Sequence, residues 1–201
     1  MPIRSLGADQ VRAVRILAQG LPVPRSSKLA TQLAVSGWQR TLGGADVYLA
    51  ARARVPKLRR SDLDSLVVEG QLCVVPAVRG CIYLVPRSDA PLCLSVAREL
   101  SRARDERDAE RAGIRPKELD ELGKVVLAVL HDGGPRTTDG IRKALAPGSV
   151  RSLGEKGKKV GVSSTLPPAL RRLEFAGRIT RTPVDGHLDH EKYEWRPTDG
   201  D

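Results

Sequence analysis

The stretch STLPPALRRLEFAGRITRT, residues 164 to 182, crowds together Arg171, Arg172, Arg178 and Arg181, and Lys156, Lys158 and Lys159 lie just before it. Guanidinium forks and ammonium heads at such density suit the oxygens of phosphate groups. At 100° per residue from Leu170, the side chains Leu166, Ala169, Leu170 and Leu173 share one face of a helix. Arg172 points away from that face and Arg171 flanks it, so both cations are expected to face outward. On the strand that returns at the end of the chain, Lys192 and Arg196 alternate with Tyr193 and Trp195, which places the cations on one side and the aromatic rings on the other. Arg52 and Arg54, in an earlier helix, are further candidates for phosphate contact.

Other chemistry is weaker. His187 and His190, beside Asp185, provide two imidazoles where a closed metal site needs four ligands, and they fall at a hairpin tip. That segment reads as a solvated turn, and no metal is expected. Neither a phosphate-binding GxxxxGK[ST] loop nor a GxGxxG after a strand occurs. The HxE and PCxxC pattern of zinc deaminases is also missing. No cofactor is expected.

Composition agrees with a polyanionic partner. Among 201 residues, Lys and Arg number 34 against 24 Asp and Glu, a formal charge of +10, and double-stranded DNA fits that balance. Apolar residues make up 40% of the chain, enough to give two small domains a core each. Cys73, Cys81 and Cys93 show no CxxC spacing and lie among apolar neighbours, as buried free thiols do. No apolar run reaches the ~18 residues of a membrane span, and the first residues lack the apolar core of a secretion signal. A soluble, cytoplasmic protein without a membrane partner is expected, nucleoid-associated in a bacterial cell.

The elements that must hold these side chains can be read in order. Residues 8–19 predict a helix with Val11, Val14 and Ala18 on one face, and 27–36 a second with Leu29, Leu33 and Ser36 in register. A third starts near Asp46 and stops at Pro56, and Ser61 is placed to cap a short fourth. Two strands, QLCVVP and CIYLVP, are joined at residues 77–80, where Gly80 suits a positive-φ turn position. Residues 91–113 predict a long helix whose second half, with Arg102/Glu106 and Arg104/Asp108 at helical spacing, reads as a solvated face or spacer.

A second unit follows the same plan. Leu119, Leu122, Val125, Val126, Val129 and Leu130 form an apolar stripe, and Thr137 or Thr138 caps the next short helix. The glycine- and lysine-rich loop GSVRSLGEKGKKVGVSS is too long for a plain connector and must be disordered or functional. Pro167 and Pro168 occupy a first helical turn, and Gly177 suits a helix end. Phe175, the only phenylalanine, lies off the stripe, so packing under the hairpin and exposure as a stacking residue both stay open.

Helices closed by a basic hairpin are the order of a winged helix-turn-helix, in which the third helix enters the major groove and the hairpin touches flanking backbone. The expected fold is mainly α with small β-hairpins, an α+β protein of tandem winged helix-turn-helix domains. Its units are residues 1–96 and 117–201, with a helical spacer at 97–116.

The phrases GGADVYLAARARVP (43–56), RSDLDSLVVEGQL (60–72), VRGCIYLVPR (78–87) and GKKVGVSSTLPPALRRLEFAGRITR with YEWRP (157–181, 193–197) resemble the winged-helix DNA-binding family that includes the AlkZ and YcaQ DNA glycosylases. That resemblance implies hydrolysis of the N-glycosidic bond of alkylated purines by a Gln-x-Gln motif. An alkylated purine is already a cationic leaving group, so the enzyme's task is to place a water beneath the sugar carbon and stabilise charge there. In this chain the motif reads Gln39-Arg40-Thr41, which makes Gln39 the candidate catalytic residue and puts threonine in the second place. Asp46 is a second candidate, as a carboxylate near a sugar cation; its plainer role would be to cap the third helix while Tyr48 packs. The family's glycosylases are longer than this chain. Damaged or intact double-stranded DNA is therefore the expected partner, with base excision as the possible activity. The alternatives are a transcription regulator, which would prefer one undamaged sequence, and a protein-interaction module, which would show little salt-sensitive DNA affinity.

Overall fold

The computed structural model describes residues 6–21, 28–41 and 44–198. Its elements run α1 (Ala8–Ala18), α2 (Leu29–Ser36), β1 (Gln39–Arg40), α3 (Asp46–Arg54), α4 (Arg60–Val68), β2 (Leu72–Pro76), β3 (Ile82–Pro86) and α5 (Ala90–Arg111). They continue with α6 (Pro116–Gly133), β4 (Arg136–Thr137), α7 (Thr138–Ala144), α8 (Gly154–Lys158), α9 (Leu166–Phe175), β5 (Ile179–Pro183) and β6 (Tyr193–Pro197). The protein is thus mixed α and β. An order of helix, short strand, helix, helix and hairpin occurs from α2 to β3 and again from α6 to β6, where α8 is inserted before the last helix.

Local chemistry accounts for most boundaries. Pro116 opens α6, and the Glu118 carboxylate accepts the Arg115 backbone amide. Thr137 caps α7 by accepting from the Gly140 amide at 3.1 Å. Pro167 and Pro168 sit in the first turn of α9, and Gly177 follows it at φ +68°. Ser61 is not a cap: α4 begins one residue earlier, and Asp62 accepts from the Arg59 amide at 2.9 Å. Asp46 likewise opens α3 without capping it, because the N-cap position belongs to Ala45.

All six strands join one antiparallel sheet in the order β1-β3-β2-β5-β6-β4. The two hairpins meet through the pair Val74 and Arg181. The hairpins of the two expected units are thus joined in one sheet. In the second half α6, α7, α9 and the hairpin enclose Leu122, Val126, Leu130, Ile141, Leu170, Ile179 and Trp195. The first half encloses Leu33, Val47, Ala51, Leu63, Leu72, Val74 and Leu84, and Leu188 from the β5–β6 connection completes that core with no exposed surface. A third cluster, Val75, Ala77, Val85 and Cys93, seals the other face of the β2–β3 hairpin against α5.

Two expectations about exposure change. The face of α1 that carries Val11, Val14 and Ala18 is not buried among the described residues: the helix buries no residue, and Val14 is 55% exposed. Conversely, α5 is more than a solvated spacer, because Ala97 and Ser101 are buried and Asp105 pairs with Arg171 of α9 at 2.9 Å. Its own ion pairs include Arg98 and Arg102 with Glu99 and Arg104 with Asp105, in place of the expected Arg102/Glu106 and Arg104/Asp108.

Candidate functional site

The strand β1 carries the family-like motif and is positioned from three sides. Gly37, at φ +95°, ends α2 while its amide bonds the Leu33 carbonyl, which turns the chain into the strand. Trp38 then anchors the entry by donating Nε1–H to Asp89 at 2.8 Å and meeting the Tyr83 ring edge to face. Gln39 pairs with Leu84 and Arg40 with Tyr83, and the Thr41 amide bonds the Ile82 carbonyl. Strand alternation does the rest: Gln39 and Thr41 are buried and Arg40 between them is exposed.

Gln39 and Thr41 therefore lie on one inner face, the relation that two residues of a Gln-x-Gln motif would have. The Gln39 side-chain amide makes no hydrogen bond among the described residues, although the residue is only 5% exposed. The Thr41 hydroxyl, in a residue 2% exposed, is also without a partner there. Beside it lies the hydroxyl of Tyr193, likewise buried, and the two do not close a bond of ordinary geometry. Burial pushes the Tyr193 pKa up, so the phenol keeps its proton at neutral pH. Asp46, by contrast, is exposed and forms no hydrogen bond or ion pair among the described residues.

The predicted phosphate contacts divide into three groups. Lys156, Lys159, Arg178 and Arg52 are exposed, with no ion pair among the described residues. Arg171, Arg172 and Lys158 are engaged but remain half-exposed or more, with Asp105 at 2.9 Å, Asp120 at 3.0 Å and Glu155 at 2.6 Å. Arg181 and Arg54 do not face outward, contrary to expectation. Arg181 makes a two-pronged pair with Glu174 at 2.6 and 2.7 Å and stacks its guanidinium over Tyr193 and Trp195. Its position between two inward aromatic rings follows from the register, which sets Arg181 opposite Trp195. Burial raises the Glu174 pKa even though Arg181 opposes that shift. Arg54 folds back to donate to the Ala50 carbonyl at 2.9 Å, and its Nε is buried.

The lysine-rich loop is folded. Ser152 bridges Ser164, the Leu153 amide bonds the Ser163 carbonyl, and α8 fills the interval. Gly157 is required there, since a Cβ would lie 2.2 Å from the Val162 carbonyl oxygen. Arg151 ties the loop to α6 by a two-pronged pair with Glu118, and holds the Glu118 carboxyl below its usual range. Lys156 and Lys159 are thereby carried on an ordered scaffold. Phe175 is buried, which removes the exposed stacking role.

The histidine-bearing tip is docked where a solvated turn was expected. Leu188 enters the first core, and its amide donates to the Tyr48 hydroxyl at 3.0 Å. Tyr48 in turn donates to Asp64 at 2.6 Å, His187 Nδ1 lies 3.0 Å from the other Asp64 oxygen, and Arg60 pairs with Asp189 at 2.8 Å. Burial, followed by the Asp64 bond, pushes the Tyr48 pKa up to about 12. Sequence reasoning missed this cluster, and also Tyr193, which it read only as a core aromatic.

A sheet with helices packed on both its halves, an inward glutamine on an edge strand and exposed cations outside define an α+β protein. A family model described as DNA glycosylase AlkZ-like matches residues 33–201, and the chain belongs to that family. Among solved structures, the Streptomyces sahachiroi DNA glycosylase AlkZ matches with a TM-score of 0.67 at 20% identity, over 96% of this chain and 50% of that one. The chain therefore spans about half the length of that relative. No curated protein sequence matches it.

Proposed function

We propose that the protein binds duplex DNA through two winged-helix units, residues 1–96 and 117–201, and releases alkylated purines from it by hydrolysis. The repeated order of helix, short strand, helix, helix and hairpin supports the winged-helix reading, and family membership supports the repair reading. The observation that carries the activity is Gln39, a buried glutamine with an unengaged amide on the inner face of β1. An amide with no internal bond among the described residues, whose polar atoms are not sealed from solvent, is available to hold a water.

In the reaction, the Gln39 carbonyl oxygen accepts a hydrogen bond from a water placed beneath the sugar C1′. The water oxygen bonds to C1′ as the C1′–N bond breaks. The bonding pair returns to the alkylated purine and neutralises its positive charge; one water proton passes to solvent and the other stays on the new C1′ hydroxyl. The leaving group needs no acid, so no carboxylic acid is required at the site. Lys156, Lys159, Arg178 and Arg52 hold phosphates directly. Arg171, Arg172 and Lys158 exchange an internal carboxylate for a phosphate, an even trade between exposed ion pairs.

The test compares a duplex containing 7-methylguanine with an unmodified one. Wild type should release the methylated base and bind an abasic-site duplex with an affinity that falls steeply with salt. Gln39→Ala should lose release and keep binding. Release unchanged in Gln39→Ala removes the residue from the role, and salt-insensitive or absent binding ends the DNA reading. Preference for one undamaged sequence would mark a transcription regulator.

A further inference from the structure

We infer that Thr41 and Tyr193 together replace the second amide of the motif, with Tyr193, from the opposite half of the molecule, acting as the positioning residue for Thr41. This rests on the excision reading above and assigns its missing arm. Three observations converge. Gln39 and Thr41 share the inner face of β1, with Arg40 outside. The Thr41 hydroxyl is buried and unpartnered among the described residues, as is the Tyr193 hydroxyl beside it. Between the same two segments the Gly44 amide reaches the Glu191 carboxylate at 3.5 Å, so the start of α3 and the start of β6 are neighbours in the fold.

Two buried hydroxyls without partners destabilise the fold unless something satisfies them. A threonine side chain is too short to reach where a glutamine amide would reach, but a hydroxyl both accepts and donates. A small rotation lets the Tyr193 O–H donate to Thr41 Oγ1. The Thr41 proton is then left to donate, along the inner face it shares with Gln39, to the oxygen of the water that Gln39 holds. Tyr193 is rigidly supplied for this task. The Arg181 guanidinium lies 5.6 Å from its ring centroid, and the ring packs against the first core. The groups that face its hydroxyl electrostatically are Arg181 and Glu191.

The experiment is a double-mutant cycle of Thr41→Val and Tyr193→Phe in the full chain. It is read by single-turnover release of 7-methylguanine, by affinity for an abasic duplex and by urea denaturation. Each single variant should slow release roughly tenfold to a hundredfold at unchanged affinity. The double variant should be no slower than the worse single one, because the pair acts as a unit. Thr41→Ser, which keeps the hydroxyl, should recover most of the rate. Tyr193→Phe releasing base as fast as wild type overturns the assignment, as do effects that multiply in the double variant. If wild type and Gln39→Ala both release nothing, the excision reading fails, and denaturation still decides the pairing: additive losses of stability would show that the two hydroxyls are not coupled.

Discussion

The tips of the two hairpins are fastened by opposite kinds of contact. At the β2–β3 tip, Ala77 is fully buried and Gly80, at φ +69°, lies so close to α5 that a Cβ would meet Ser101 Oγ at 3.4 Å. That tip is held within its own half by small residues and close approach. At the β5–β6 tip, Leu188 crosses into the other half and is ringed by Tyr48, Asp64 and His187, with the Arg60 and Asp189 pair beside it. Close packing excludes water without specifying an angle, whereas a polar ring has directional bonds and fixes one orientation of the joined halves. On the DNA-binding reading proposed above, tips docked in this way would leave contacts to a duplex to the helices, to α8 and to the outward cations.

The comparison can be broken at its seam first. Arg181→Ala leaves Glu174 buried without its partner and should cost about 3–5 kcal/mol in urea denaturation. The sign of its pH dependence follows from the raised pKa of Glu174. A buried carboxyl with a raised pKa takes up its proton in the folded state first, so the loss should shrink as pH falls and grow toward neutrality. Next, Leu188→Ala should cost about 2–5 kcal/mol, and because the cavity opens in the first half, tryptophan fluorescence should report the change at Trp38. Gly80→Ala tests the other tip: left-handed backbone costs a substituted residue about 1–2 kcal/mol, and the loss should not vary with salt. The smallest effect is expected away from both tips. Arg151 depresses the Glu118 pKa, so its contribution is present at neutral pH and lost as pH falls through the folded value. Glu118→Gln should lower the neutral-pH stability by under about 1 kcal/mol and flatten the acid limb of the stability curve.

Much of this arrangement was legible in the sequence, where one physical signal dominated. The stripes of α6 and α9 are wide and regular, and the proline pair and glycine that bound α9 act through the backbone alone. The first hairpin was readable because apolar strands flank its turn, and the second because cations alternate with aromatic rings on its returning strand. The two-residue strands β1 and β4 were not, since a pair of residues has no periodicity. Arg181 was misread because alternation places it correctly on the face of Tyr193 and Trp195 but does not announce that Glu174 waits there. Leu188 was hidden in a polar tip, HLDH, whose burial depends on a partner surface formed by residues far earlier in the chain. At the candidate site, Gln39 was found by resemblance. The part played by Tyr193 depends on the two halves meeting, which no local pattern encodes.

The docking of Leu188 also governs when the molecule can finish folding. Its amide bonds a hydroxyl 140 positions earlier in the chain, so the N-terminal core stays open at one place until residue 188 has left the ribosome. Synthesis delivers residues at about 5–20 per second, which leaves that core incomplete for seconds. A nascent chain arrested before the last hairpin would present an apolar hollow to chaperones, and release of the hairpin would close both halves in one late, cooperative step.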